Sequence, residues 1–150
     1  MMKLKRSKDR KVANSLTPAG GVRIANSFGL PAGQAFSCPN ATSVCENICY
    51  AGKLEKLYKG VREALVHNYN ALRNAIPTQM IQMLDEMITE FERECEKFDA
   101  PKLFRIHWDG DFFNVDYAMA WATVIKMNSD VQFWAYTRSD FAVPVLVDIP

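Results

Sequence analysis

A chain of 150 residues with 49% apolar and 23% charged residues is long enough to bury a core and has the make-up of a folded protein. A formal net charge of +1 excludes a surface that coats nucleic acid by charge alone, and no apolar run approaches the roughly 18 residues of a membrane span. The N-terminus is basic but lacks the apolar stretch of a secretory signal, so the chain reads as cytoplasmic with reduced thiols.

Residues 1–12 carry Lys3, Lys5, Arg6, Lys8, Arg10 and Lys11 and read as a basic flexible arm, the one part of the chain suited to touching phosphate. Residues 13–37 are rich in Gly, Pro, Ser and Asn, with VRIANSF as their strand candidate. A cysteine loop follows at 38–52. From Leu54 the period becomes helical: Leu54, Leu57, Tyr58, Val61, Leu65, Tyr69 and Leu72 mark one buried face, with Gly60 dividing a short turn from the main helix. Pro77 breaks the pattern. Thr78 then caps a second helix striped by Met80, Leu84, Met87, Ile88, Phe91 and Cys95. LFRIHW (103–108) reads as a strand, DGDFFN as a turn, and Asn114 as the cap of a third helix through Tyr117, Ala118, Trp121, Val124 and Ile125. VQFWAYT (131–137) is another strand, RSD its turn, and VPVLVDI (143–149) the start of a further element.

Strand, turn, helix, strand at this spacing is a βαβ unit and calls for a parallel sheet. By alternation Arg105, His107 and Asp109 share one strand face, and Phe104, Ile106 and Trp108 the other. Gln132, Trp134, Tyr136 and Arg138 share a face of the next strand. A complete eight-stranded barrel needs about 200 residues or more. The expectation is therefore an α/β fold, a partial (half) TIM-like barrel with its cysteine loop preceding the first long helix. Its open edge predicts a homo-oligomer through segment 141–150. The domain layout is an arm at 1–12 and one metal-binding α/β domain at 13–150.

The sharpest signal is SCPNATSVCENICYAG, in which Cys38, Cys45 and Cys49 are spaced C-x6-C-x3-C. Thiolates are soft ligands for zinc or iron–sulfur clusters. Structural zinc wants four ligands, commonly as two close pairs. Cys95 lies 46 residues beyond Cys49 on an apolar stripe and reads as a core thiol. His107 suits a ligand, a proton carrier or an interior hydrogen-bonded histidine. Asp109 and Asp111 read as a carboxylate pair or as turn residues. Tyr136, Thr137 and Arg138 end a strand, where site residues concentrate. Trp108, Trp121 and Trp134 read as core.

A cysteine triad after an early strand and before a helix resembles the radical S-adenosylmethionine (SAM) superfamily. CYAG, HWDGDFF and FWAYTRS resemble, more specifically, a phage-encoded family known as gene product eighty-eight, a shortened relative of the radical SAM fold. The resemblance covers residues 26–140. It implies a radical-SAM-like fold in which Cys38, Cys45 and Cys49 hold three irons of a [4Fe–4S] cluster. The fourth iron would be open to SAM, another ligand or a side chain. Gly110 and Asp111 match the Gly-Gly-Glu-type segment that holds the SAM amino group. Arg138, at a strand end, suits an acidic partner or the SAM carboxylate, or a structural pairing with Asp109 or Asp111. The spacing departs from the usual C-x3-C-x2-C, with Ile48 before Cys49 and Tyr50 after it. The leading expectation is a [4Fe–4S] or [3Fe–4S] protein that transfers electrons to a redox partner or senses redox state, without SAM cleavage. One alternative is a radical SAM enzyme generating a 5′-deoxyadenosyl radical. Another is a structural zinc module whose basic arm binds nucleic acid.

Overall fold

The computed structural model describes residues 2–12, 21–33 and 35–147. Residues 148–150 of the apolar end segment lie outside the described residues. The elements run β1 (Arg6–Ser7), β2 (Ser27–Phe28), α1 (Ser43–Ile48), α2 (Tyr50–Leu57), α3 (Lys59–Arg73), α4 (Pro77–Lys97), β3 (Leu103–Ile106), α5 (Val115–Met127), β4 (Gln132–Trp134) and α6 (Val143–Leu146), with 3-10 turns at Arg10–Val12 and Asp140–Ala142. The sheet order is β1-β2-β3-β4. β2, β3 and β4 are mutually parallel, with Phe28 opposite Ile106 and Phe104 opposite Phe133; β1 pairs antiparallel with β2.

α4 and α5 bury their apolar stripes against one face of the sheet. Met80, Met83, Leu84, Met87, Ile88, Phe91 and Cys95 are buried along α4. Phe104 of β3 sits between Phe91 and Trp121, at ring separations of 5.1 and 6.2 Å. A buried aromatic of this kind contributes about 2–3 kcal/mol of transfer free energy. Asn114 caps α5 by accepting the Tyr117 N–H at 2.8 Å. α4 starts one residue before the expected Thr78 cap. Pro77 occupies its first turn, where the fixed φ fits and no N–H is wasted, and Gln79 Oε1 accepts the Ile76 N–H at 3.2 Å.

The helical break near Gly60 falls instead at Tyr58, whose extended backbone (φ −123°, ψ 105°) ends α2 and resets the phase. Leu57 and Tyr58, expected on the buried stripe, are therefore exposed, and the buried face of α3 is Leu65, Asn68, Ala71 and Leu72. The cysteine loop is mostly helical: Cys45 lies on α1 and Cys49 forms the junction between α1 and α2.

The basic segment expected as a flexible arm is laid down on the domain. Asn68 exchanges two hydrogen bonds with the Lys5 backbone at 2.8 and 2.9 Å. Arg6 pairs with Glu94 at 2.8 Å, and Asp9 with Arg105 at 2.7 Å. Among the described residues no helix is long and apolar enough to cross a membrane.

β3 does not keep its alternation to the end. Arg105 N–H donates to Asn26 O and Trp108 N–H to Phe28 O, each at 3.0 Å. The step is two residues on the β2 side (26 to 28) and three on the β3 side (105 to 108), which is a one-residue bulge. His107 is the extra residue, at φ +65°. Its ring turns into the core, 4.7 Å from Phe112 and 5.7 Å from Tyr117. Trp108 takes the face that alternation had given to His107. The expected grouping of His107 with Arg105 and Asp109, and of Trp108 with the core, is thus inverted.

Candidate functional site

The chain leaves β2, β3 and β4 on the same side of the sheet, and a cavity of about 520 Å³ opens there. It falls within the range of small-ligand sites, about 300–1,000 Å³. Cys38, Cys45 and Cys49 line it together with Gly110, Asp111 and Arg138, so all six residues singled out in the sequence meet at one place. Arg105, His107, Trp108, Asp109, Tyr136 and Thr137 complete its polar wall. Among the described residues no three His, Cys, Asp or Glu side chains are gathered closely enough to grip a single metal ion.

Each cysteine is held differently. Cys38 ends a tight turn in which its N–H donates to Gly33 O at 3.0 Å, and Gly33 supplies the left-handed backbone (φ +114°). Burial pushes the Cys38 thiol up to about 11, and the nearby Asp111 and Asp109 carboxyls add to the rise. Cys45 sits in the first turn of α1, where its N–H donates to the Thr42 hydroxyl at 3.0 Å. Cys49 caps α2 with its own sulfur, which accepts the Gly52 N–H at 3.3 Å. Cys95 is elsewhere: its thiol faces Pro101 O at 3.8 Å, before the start of β3 and away from the cavity.

The loop after β3 shows what Gly110 and Asp111 do. Gly110 has φ +81°, and a Cβ there would meet Leu30 O at 2.6 Å and also Ser37 Oγ. Asp111 is a clasp. Its Oδ1 accepts from Phe112 N at 2.8 Å and Thr137 Oγ1 at 2.6 Å, and its Oδ2 accepts from Arg138 N at 2.8 Å. Its own N–H donates to Ser37 Oγ at 3.1 Å. Through its carboxylate and its own N–H, this one residue ties together the loops that follow all three parallel strands. Arg138 meets Asp111 through its backbone rather than its guanidinium, and its side chain is exposed at the rim.

Four buried side-chain polar atoms lack a hydrogen-bond partner among the described residues: Arg105 Nε, His107 Nδ1, Trp108 Nε1 and Asp109 Oδ2. They come from one stretch of five residues, and all four residues border the cavity. Leaving such a group unpaired costs about 1–3 kcal/mol, so a cluster of them points to a missing binding partner. The histidine tautomer follows from its neighbours. Trp121 Nε1–H donates to Tyr117 Oη at 2.8 Å, and the Tyr117 hydroxyl has His107 Nε2 at 2.7 Å as its acceptor. The proton of the neutral ring therefore sits on Nδ1. Burial pushes the His107 pKa down to about 3, with Arg105 assisting, so the ring is neutral.

Asp109 is the acidic counterpart. Burial and then the adjacent Glu55 carboxyl hold it well above its ordinary value, so it keeps its proton at neutral pH. Glu55, beside Asp109, is a buried carboxyl that the apolar-stripe reading passed over. It is 4% exposed on α2, accepts the Ala32 N–H at 2.9 Å and pairs with Arg62 at 3.3 Å. Cys49, Gly52 and Glu55 recur every three residues, one face of a helix, and that spacing was its available signal.

The gene product 88 family profile matches residues 2–149. The gene 88 protein of Mycobacterium phage L5 is 56% identical over 150 residues, covering 97% of this chain and 63% of the relative. The gene 88 protein of Mycobacterium phage D29 is also 56% identical over 150 residues, covering 97% of this chain and 62% of the relative. The chain thus spans under two thirds of the length of these curated relatives. No solved structure matches it. With the profile running nearly end to end and the three motifs CYAG, HWDGDFF and FWAYTRS converging on one cavity, the chain belongs to the gene product 88 family of phage proteins.

Proposed function

We propose that the cavity holds an iron–sulfur cluster, [4Fe–4S] or [3Fe–4S], on Cys38, Cys45 and Cys49, and that the protein serves electron transfer or redox sensing. The observation behind this reading is the mixed lining. Three thiols and three residues with unpartnered buried nitrogens, His107, Trp108 and Arg105, line the same cavity. An iron–sulfur cluster is anionic and carries sulfurs that accept hydrogen bonds. Thiols that ring a cavity suit a group in which each metal takes one sulfur. A tetrahedral zinc ion, with Zn–S about 2.3 Å, needs its sulfurs within about 4 Å of each other.

When bound, the cluster would supply one-electron chemistry. The chain's own residues do the rest. The Gly52 N–H is already placed on Cys49 Sγ. Cys38 gives up its proton only on binding metal, since burial disfavours the bare thiolate. Trp108 and the Asp111 clasp border the site. A partial TIM-like, radical-SAM-like barrel is the fold we infer, supported by parallel strands whose C-terminal ends carry the site. The same reading places the protein in the reducing host cytoplasm with a redox partner. It includes a homo-oligomer at β4, an edge strand flanked by an apolar groove that Val143, Leu146 and Val147 help to line. Light scattering that gives a monomer at micromolar concentration would remove that last element.

A second reading, a radical SAM enzyme, is favoured by one observation: Gly110, Asp111 and Arg138 share the cavity with the thiols. Against it, both oxygens of Asp111 are already engaged within the fold.

The deciding experiment is anaerobic purification with iron and acid-labile sulfide analysis and a visible spectrum. Brown protein with iron and sulfide in near-equal amounts is expected. Colourless, zinc-loaded protein would overturn the reading.

A further inference from the structure

A second cavity, of about 780 Å³, lies between the docked N-terminal segment and the start of α3. Its two walls differ in chemistry. Lys8, Arg10 and Lys11 line one, and none of the three forms an ion pair among the described residues. Leu54, Val61 and Ala64 line the other. At its inner end stand Arg105 and Trp108, which also border the cysteine cavity. Asp9 already neutralises Arg105 at 2.7 Å, so three uncompensated cations remain beside an apolar wall.

We propose that this groove is a binding site for a phosphate-bearing organic molecule of mononucleotide size, distinct from the cysteine cavity but sharing Arg105 and Trp108 with it. The phosphates would lie against Lys8, Arg10 and Lys11, which suit an anion as point charges. A ring would lie along Val61, Ala64 and the Trp108 indole, an aromatic face on which a planar group stacks. The volume fits one small ligand rather than a polymer, whose recognition needs an open-ended track. The cations came onto the groove only because β1 and the Asp9–Arg105 pair lay the N-terminal segment down.

Gly60 allows a clean test. Nothing lies within 4 Å of where its Cβ would stand, and it lines the groove. Gly60→Phe therefore adds bulk at the groove with no neighbour for its Cβ to displace, and it removes a poor helix former from α3. Calorimetric titration of the full chain with ADP is expected to show saturable 1:1 binding, with inorganic pyrophosphate weaker and SAM, which has no phosphate, not competing. Gly60→Phe should abolish ADP binding, and Lys8→Glu with Arg10→Glu should weaken it at least tenfold, both with unchanged thermal melts. The Cys38, Cys45 and Cys49 triple Ser variant should bind ADP as before, so this proposal and the cluster reading stand or fall separately. No heat with millimolar ADP or pyrophosphate, or binding indifferent to both variants, would overturn it. Tighter binding of a ten-nucleotide single strand than of ADP would overturn it in favour of a nucleic-acid surface.

Discussion

The Tyr117 hydroxyl, which accepts from Trp121 at 2.8 Å, lies 2.7 Å from His107 Nε2; with its proton given to Nε2, the ring proton of neutral His107 stands on Nδ1. The histidine is neutral because it is buried, and the Tyr117 contact orients its ring.

That burial has a pH signature. His107 has a folded pKa near 3 against an ordinary value of 6.5, so the unfolded chain takes up the proton first as pH falls. The stability it lends is complete above pH 6.5 and is lost progressively from there down towards 3. The loss should reach about 2 kcal/mol by pH 5. Urea melts of wild type and His107→Asn at pH 7 and pH 5 measure it; Asn tolerates the positive φ and does not titrate. An identical pH slope in both proteins would contradict the assignment.

Asp109 works in the opposite sense. Its folded pKa lies well above its ordinary 3.8, so the stability tied to its protonated form is present at low pH and drains away as pH rises above 4. Asp109→Asn should therefore raise the stability of the metal-free protein at neutral pH and flatten its alkaline limb. A lower melting temperature at pH 8 would refute this.

Gly110→Ala should cost about 2 kcal/mol or more, because a side chain at φ +81° is strained and its Cβ meets Leu30 O at 2.6 Å. Chemical denaturation gives the number directly, and a neutral result would show that the loop repacks.

Much of the architecture was legible because periodicity reports burial. The stripes through Met80 to Cys95 and Tyr117 to Val124 name the helix faces that meet the sheet. The bulge at His107 was not legible, since LFRIHW alternates without interruption and nothing local marks the extra residue. The docking of residues 2–12 escaped for a related reason: its partners Asn68, Glu94 and Arg105 are 63, 88 and 96 residues distant in the chain. The types and motifs of the three cysteines, Gly110, Asp111 and Arg138 single out residues that the fold brings to one cavity. Glu55 was not legible, because a charged residue on an amphipathic helix reads as solvated until a partner such as Asp109 is known.

Changing Cys38, Cys45 or Cys49 to Ser should each remove iron, sulfide and visible colour from anaerobically prepared protein, while Cys95→Ser leaves them in place. Loss of colour in Cys95→Ser would bring a fourth thiol into the site and require the core around Pro101 to open.

No 5′-deoxyadenosine is expected when SAM is added to the reduced protein, because the Asp111 oxygens that would meet its amino group hold Thr137 and Arg138 instead. Product above the level of a Cys45→Ala control would promote the enzyme reading.

Cys49 closes α1 and opens α2 with a single residue whose backbone is extended, φ −62° and ψ 113°. There is no linker between the two helices to absorb a change in its sulfur. Whatever seizes that sulfur also sets the angle between two rods, one bearing Cys45 and the other Glu55, so ligation at Cys49 and the spacing of both neighbours are a single mechanical event.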